Sequence, residues 1–390
     1  MKVIFETRQM KKALKTLASM KQQRNYSAIK EVTLRAEKRT AADYLSVVRT
    51  AYNEYPHKVT AEITSRELVE EEGELTLDLT ALTKLMSKPL ERVARIEGNS
   101  YGAWLMYEDV SSHKLPVIPK EKSDDERVKS ARASLPIVLR SVDFCRLAQS
   151  VMHTMIPDSD RDFYRYSEME LKDDKLSLRA GTASNATIAR IKYYGDMKEE
   201  FKCTIPYNML SVGLSVGKEA GTVEITYTSD KVKMTISGDK QEVFMEGDRY
   251  EGEFPVLEKV FEKYKEGKVR GRFGVKELTN ALTSIKEIVK TNYCYRTCFE
   301  FINDGLKITV RDEHDGELSA IKVIGEVQGE LGRVYVDWRY MSDTLKTLKD
   351  EDEIEISTEY ELSPLRIKPV GYDGFYEYAE LIMPLRNVKE

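Results

Sequence analysis

Phe5, Met10, Leu14 and Leu17 stand at offsets of 0, 5, 9 and 12. The same spacing returns at Leu139, Phe144, Ala148 and Val151, and again at Phe273, Leu278, Leu282 and Ile285. The interval between copies is 134 residues both times. In each copy the first residue closes a short run of β-formers (VIF, PIVL, GRF), and the later three fall on one face of a helix. Two residues after it come Thr7, Ser141 and Val275, so two of the three copies offer a good N-cap. A second pattern follows in each copy: Leu77, Leu82 and Met86, then Ile205, Leu210 and Leu214, then Val336, Met341 and Leu345, all at offsets 0, 5 and 9. Together the patterns predict six strand-then-helix units, with helices over 9–21, 79–88, 142–155, 207–218, 276–290 and 338–349.

Between the helices lie alternating, β-branched stretches at 223–238, 306–325 and 353–370 that read as hairpins with polar tips. Residues 112–133 and 262–271 are charged, lack periodicity and read as linkers. The 390 residues therefore divide into three repeated units, 1–125, 126–262 and 263–390. The fold class is α+β, with antiparallel sheets and helices on one face.

Composition adds little until it is mapped. The chain is 41% hydrophobic and 33% charged, and no apolar run approaches the ~18 residues that cross a membrane. The N-terminus reads as a strand entering a helix rather than a signal peptide. Four cysteines, Cys145, Cys203, Cys294 and Cys298, make no disulfide framework in a chain of this length and read as structural thiols in a reducing cytoplasm. The net charge is only −5, but the six helices hold fourteen Lys or Arg against four Asp or Glu, while the rest holds 47 against 62. The first helix carries Lys11, Lys12, Lys15 and Lys21 with no acid. Glu is as good a helix former as Lys, so this bias points to one electropositive surface whose natural partner is phosphate, contacted without reading bases.

Catalytic motifs are not found. GLSVGKEAG (213–221) has one residue too few between its glycines for a phosphate-binding loop, and Glu219 replaces the hydroxyl that would meet magnesium. It reads instead as a helix ending in a glycine cap. His57, His113, His153 and His314 are too scattered for a metal site, and PDSDRD (157–162) lacks the glycine of a calcium loop. No metal, no cofactor and no enzyme activity are expected; metal-dependent nuclease chemistry at Asp158, Asp160 and Asp162 is the discarded alternative.

The chain resembles the bacterial DNA polymerase III β subunit, the sliding clamp, along essentially its whole length. Leu381-Ile382-Met383-Pro384-Leu385-Arg386 is similar to the family's near-terminal hydrophobic-hydrophobic-Met-Pro-Met-Arg signature. Glu253-Phe254-Pro255 followed by Val260 is similar to its Phe-Pro segment, and 182–190 (TASNATIAR) to its middle-domain turn. The resemblance implies a homodimer, two chains closed head to tail into a ring of three repeated clamp domains each. It implies a processivity factor for DNA replication, cytoplasmic and nucleoid-associated, that encircles duplex DNA without sequence preference. A hydrophobic pocket would tether the replicative polymerase, the clamp loader and repair proteins through short peptides. By position the implied pocket comprises Tyr166, Ile188, Pro255, Lys259, Val260, Tyr340, Leu362, Pro364, Leu381, Ile382, Met383, Pro384 and Leu385. Implied DNA contacts are Lys11, Lys12, Lys15, Arg24, Tyr164 and Arg165, and the implied dimer seam uses Trp104, Ile288 and Val289. The sequence departs from the pattern where His-Arg becomes Ala186-Thr187, where Arg becomes Lys259, and where 387–390 run past the family's usual end. These departures motivate the alternative of a clamp-fold interaction module that does not close into a ring.

Overall fold

All twelve positions of the first repeated pattern are buried, from 6% exposure at Leu139 down to zero. Eight of the nine positions of the second are buried too, Leu214 being half-buried. The structure, a computed structural model, describes residues 1–21, 30–54, 57–87, 92–107, 111–118, 134–195, 200–218, 220–238, 241–292, 296–312, 316–329, 332–371 and 374–385.

The six expected helices are α1 (Thr7–Ala18), α2 (Leu79–Met86), α3 (Ser141–Met152), α4 (Tyr207–Gly217), α6 (Val275–Asn292) and α7 (Trp338–Thr347), with an unexpected α5 (Leu257–Lys263) between α4 and α6. The first helices of the units start one residue earlier than their hydroxyls suggest. Glu6 and Arg140 hold the cap positions with no side-chain cap bond. Strand pairing runs right up to Glu6, opposite Val93, so the chain turns into the helix at once. Thr7 is already helical and its hydroxyl donates to Arg92 O at 3.1 Å. True side-chain caps open two of the three second helices instead, Asp78 accepting from Ala81 N at 2.9 Å and Asp337 from Arg339 N at 3.0 Å, while α4 follows Pro206 without one.

Among the described strands every pairing is antiparallel. A five-stranded sheet runs Leu68–Glu71, Lys2–Glu6, Val93–Asn99, Gly102–Tyr107, Ser111–Leu115. An eight-stranded sheet runs Ile137–Arg140, Ala220–Tyr227, Lys231–Gly238, Gln241–Asp248, His57–Arg66, Asp43–Glu54, Glu31–Lys38, Gly73–Asp78. A nine-stranded sheet runs Phe201–Pro206, Tyr166–Lys172, Lys175–Gly181, Asn185–Lys192, Tyr376–Ile382, Leu365–Pro369, Glu353–Thr358, Val269–Gly274, Glu326–Gly329. A four-stranded sheet runs Gly316–Ile324, Gly305–Asp312, Arg296–Ile302, Arg333–Asp337. The two wide sheets each draw strands from neighbouring repeats. Val243 pairs with Ile63 in one, and Ile188 with Ala379 in the other.

The linkers are shorter than the composition suggests. Ser111–Leu115 is an edge strand, and Val117 bridges to Leu77, while 119–133 lie outside the described residues. The second linker shrinks to 264–268, between α5 and Val269–Gly274.

The glycines of GLSVGKEAG do not form a left-handed cap. Gly217 is still in α4, and Lys218, in right-handed conformation, ends it. Their role is close packing: a Cβ on Gly213 would stand 2.6 Å from Phe144 Cε1, and one on Gly217 2.6 Å from Cys145 Sγ. Both contacts lie on α3, so small residues let α3 and α4 approach. Cys203 is buried, which pushes its thiol up to about 12 and leaves it unreactive at neutral pH.

Candidate apolar groove and basic helix layer

The nine-stranded sheet has two apolar faces. Along Tyr376–Ile382, Tyr378 and Ile382 join the main core under the helices, while Ala379 and Leu381 belong to a second, separate cluster. Along Asn185–Lys192, Ala189 and Ile191 face the main core and Ala186 and Ile188 the second cluster. The period of two therefore puts the second cluster on the face away from the helices. Tyr166, Phe254, Leu257 and Phe261 complete it, with Val260 and Met383 half-buried at its rim.

α5 covers this face because Leu257 and Phe261, four residues apart, point down together. Its Glu258 anchors it to the sheet, 3.5 Å from Arg179 and 3.4 Å from Arg190. Arg179 is 1% exposed and also holds Glu168 at 3.4 Å and Glu170. Burial lowers its pKa, and the carboxylates around it oppose that shift. A charge so buried persists only when paired, so the network fixes the helix in one place.

The far wall is made by the chain end. Met383 N donates to Ser184 O at 2.8 Å and Leu385 N to Tyr335 O at 2.7 Å. The turn beneath is held by Thr182, whose hydroxyl donates to Asn185 Oδ1 at 2.8 Å and accepts from the amides of Ser184 and Asn185 at 3.1 and 3.2 Å. Tyr164 lends its hydroxyl to Ala183 N at 2.9 Å.

Of the positions expected at the pocket, Tyr166, Ile188, Val260, Leu381 and Met383 come together here. Pro255, Pro384 and Leu385 are half-buried, Lys259 is exposed and Pro364 is buried. Leu362 is 62% exposed. Ile382 and Tyr340 pack with the main core on the opposite side of the sheet. The cluster also contains Leu257, Phe261 and Ala379, for which the only sequence signal is the four-residue spacing of the first two.

On the helix side, Lys11, Lys15, Lys84, Lys218, Lys276 and Lys286 are exposed and Lys12 is half-buried. Lys11 Nζ reaches Ser87 O at 3.2 Å and so ties α1 to the end of α2. Three other helix cations hold carboxylates of the protein itself: Arg146 with Glu351 at 3.7 Å, Arg339 with Asp337 at 2.5 Å, and Lys346 with Asp343 at 2.7 Å. The exposed lysines are thus spread over α1, α2, α6 and the end of α4, with α1 carrying two of the six. Tyr164 and Arg165 differ from expectation. They lie in a short 3-10 turn, Asp162–Arg165, and are buried, at 7% and 2%, with Arg165 held by Asp162. Their turn packs down on the sheet rather than reaching out as a loop. Arg24 lies outside the described residues, as do the side chains of Ile288 and Val289. Trp104 is 45% exposed, on the strand next to the sheet edge.

Neither a protein-family model nor a curated protein matches the sequence. Solved structures do. The DNA polymerase III beta subunit of Thermotoga maritima superposes with a TM-score of 0.80 over 99% of this chain and 100% of its own, at 15% identity. The subunit beta of Pseudomonas aeruginosa gives 0.77 at 17% identity, over the same shares of the two chains. The chain has the sliding-clamp fold. The C. crescentus beta sliding clamp, solved with polyethylene glycol at a motif-tethering region, gives 0.77 at 17% identity over 99% and 100%. Within the clamp fold of this chain, the second apolar cluster lies on one face of the sheet shared by the second and third units, and the helices lie on the other. Among the described residues no helix is long and apolar enough to cross a membrane, and no His, Cys, Asp and Glu group could hold a metal ion.

Proposed function

We propose that the chain is a processivity clamp: two copies close head to tail around duplex DNA, and the apolar groove tethers polymerase and other replication partners through short hydrophobic peptides. The observation that carries this reading is the placement of six helices, in three equivalent pairs, on one face of four sheets, of which the two outer ones each end in an open strand. Ser111–Leu115 at one end and Gly316–Ile324 at the other each pair on one side only among the described strands. Joining them would cover both edges and bring Trp104 near the seam. Two copies would then line the hole with twelve helices, led by Lys11, Lys12 and Lys15. Charge alone would hold the backbone, so sliding needs no sequence. Catalysis has no place in this reading, and the division into units at 1–125, 126–262 and 263–390 is part of it.

The test is topological. A clamp loaded on circular DNA is retained and is lost when the circle is cut, and the free protein has the mass of a dimer. Equal retention on circular and linear DNA, or a monomeric mass at micromolar concentration, overturns the reading.

A further inference from the structure

The outer face of the nine-stranded sheet changes character one strand beyond the groove. Leu381 is flanked by Ala186 on one side and by Arg366 on the other. Arg366 in turn pairs with Ser357, and Ser357 with Arg270. The apolar row Ala186–Leu381 thus continues directly into a cationic row. Above that row opens a cleft of about 600 Å³ walled by the segment 265–268, which leads on from α5.

Its lining carries Lys265, Lys268, Arg270, Arg366 and Lys368 against Glu266 and Glu355. Some of this charge is spent: Lys368 holds Glu355 at 3.0 Å and Lys265 holds Glu262 at 3.5 Å. Lys268 and Arg270 are exposed and hold no carboxylate among the described residues. Arg366 is half-buried. It donates one nitrogen to Lys265 O, and its Nε is buried without a hydrogen-bond partner. Burial lowers its pKa, as expected of a cation held without a carboxylate of its own. Gly267 keeps the cleft narrow, because a Cβ there would meet Ser357 Cβ and Thr358 N, both at 2.8 Å. Three of the five cations are left without a carboxylate beside an apolar groove, and the occupant that complements both is one chain segment with two halves.

We propose that the peptide received by the groove carries acidic residues next to its apolar core, and that this cleft takes them. The inference rests on the peptide-tethering role proposed above. Lys268 and Arg270 are the specificity-determining side chains. They meet Asp or Glu carboxylates at an exposed rim, where such pairs favour the right partner and speed its approach.

Three fluorescent synthetic peptides test this against the full chain. All share a Leu-Leu-Phe core. One has Gly-Ser flanks, one has four Asp and Glu before the core, and one has them after it. One acidic peptide is expected to bind about fivefold tighter than the neutral one at about 50 mM salt, as two exposed pairs allow. That advantage shrinks towards zero at about 500 mM salt. Lys268→Glu and Arg270→Glu remove the advantage and leave the affinity for the neutral peptide unchanged. Both positions are exposed, so folding is not at stake, and an unchanged circular-dichroism melt verifies that. Acidic peptides that bind no better than the neutral one, or that keep their advantage in both variants, overturn the inference while the groove stands. Failure of all three peptides to bind overturns the groove reading, and this inference with it.

Discussion

His153 Nε2 lies 2.9 Å from Glu380 Oε2, joining the end of α3 to the strand Tyr376–Ile382. Glu380 is fully buried and also accepts from Tyr378 Oη at 2.5 Å. Thr347 of α7 approaches the other ring nitrogen at 3.3 Å. The pair therefore fastens the second unit to the third. Burial works against charging the imidazole, but Glu380 and Asp343 outweigh it and Lys346, and the pKa of His153 is raised. The protonated ring also ends a helix, where a cation is favoured.

A raised folded pKa stabilises the protein fully below the unfolded value of about 6.5 and stops doing so as pH rises through the folded value. Thermal stability should thus fall as pH rises above about 6.5. His153→Gln should flatten that slope. Melting curves across this range decide; a slope that survives in the variant would show that other groups cause it.

Charge on α1 should govern DNA retention. Lys15→Glu reverses an exposed charge and should weaken retention on circular DNA, lowering the salt slope by about 1. The reversal should leave the melting temperature unchanged. Arg146→Gln should instead lower stability, because Arg146 stacks on Tyr376 at 3.8 Å and pairs with Glu351.

Met383→Ala with Pro384→Ala should weaken a bound hydrophobic peptide by at least about tenfold, the loss of one interface anchor. Both residues are half-buried at the rim of the groove, so the oligomeric mass should not change. Titration and sizing of the double variant check the two halves of this statement.

Arg49→Leu should cost about 1–3 kcal/mol of stability, the penalty of leaving a buried acceptor unpaired. Arg49 is 1% exposed and its Nη1 donates to Leu17 O and Met20 O, two carbonyls at the end of α1. Burial lowers its pKa to about 10, so it remains charged at neutral pH. A variant that melts like the native protein refutes this role.

Gly213→Ala should destabilise by about 1–3 kcal/mol, the usual cost of overpacking. The added methyl would press on the Phe144 ring at 2.6 Å. Phe144→Leu in the same chain should recover part of the loss, and a denaturant series over the two single variants and the double measures the coupling.

The repeat made the fold legible because burial acts on periodicity: Phe5, Leu139 and Phe273 close equivalent strands, and the three later positions of each copy sit under equivalent helices. The N-caps were misread because Thr7 and Ser141 are good caps only where the strand stops before them, and pairing at Glu6 is a long-range fact. α5 was missed because seven residues between Pro255 and the next strand are too few for a periodic signal. The resemblance groups residues of two neighbouring strands into one pocket, but the parity of the sheet divides them between its two faces. Leu381 faces the groove and its neighbour Ile382 the core, and only a known register separates two adjacent apolar residues. Tyr164 and Arg165 look like solvent-reaching polar residues, and their burial depends on the hydroxyl and guanidinium finding Ala183 and Asp162.

Strands shared between neighbouring repeats make the two wide sheets, so each junction between units is itself a strand pairing, and Ser111–Leu115 and Gly316–Ile324 each keep one unpaired side among the described strands. A single unit cut out alone would expose a strand edge at each junction it lost. In the assembly proposed above, copies join end to end through those two edges. Such a contact makes a filament if successive copies fail to meet and a closed object if they do. In that proposed assembly the curvature set by the two internal junctions would decide between a fibre and a closed object, and a substitution at His153 or Glu380 that altered it would change the number of chains joined before it changed the fold of any one of them.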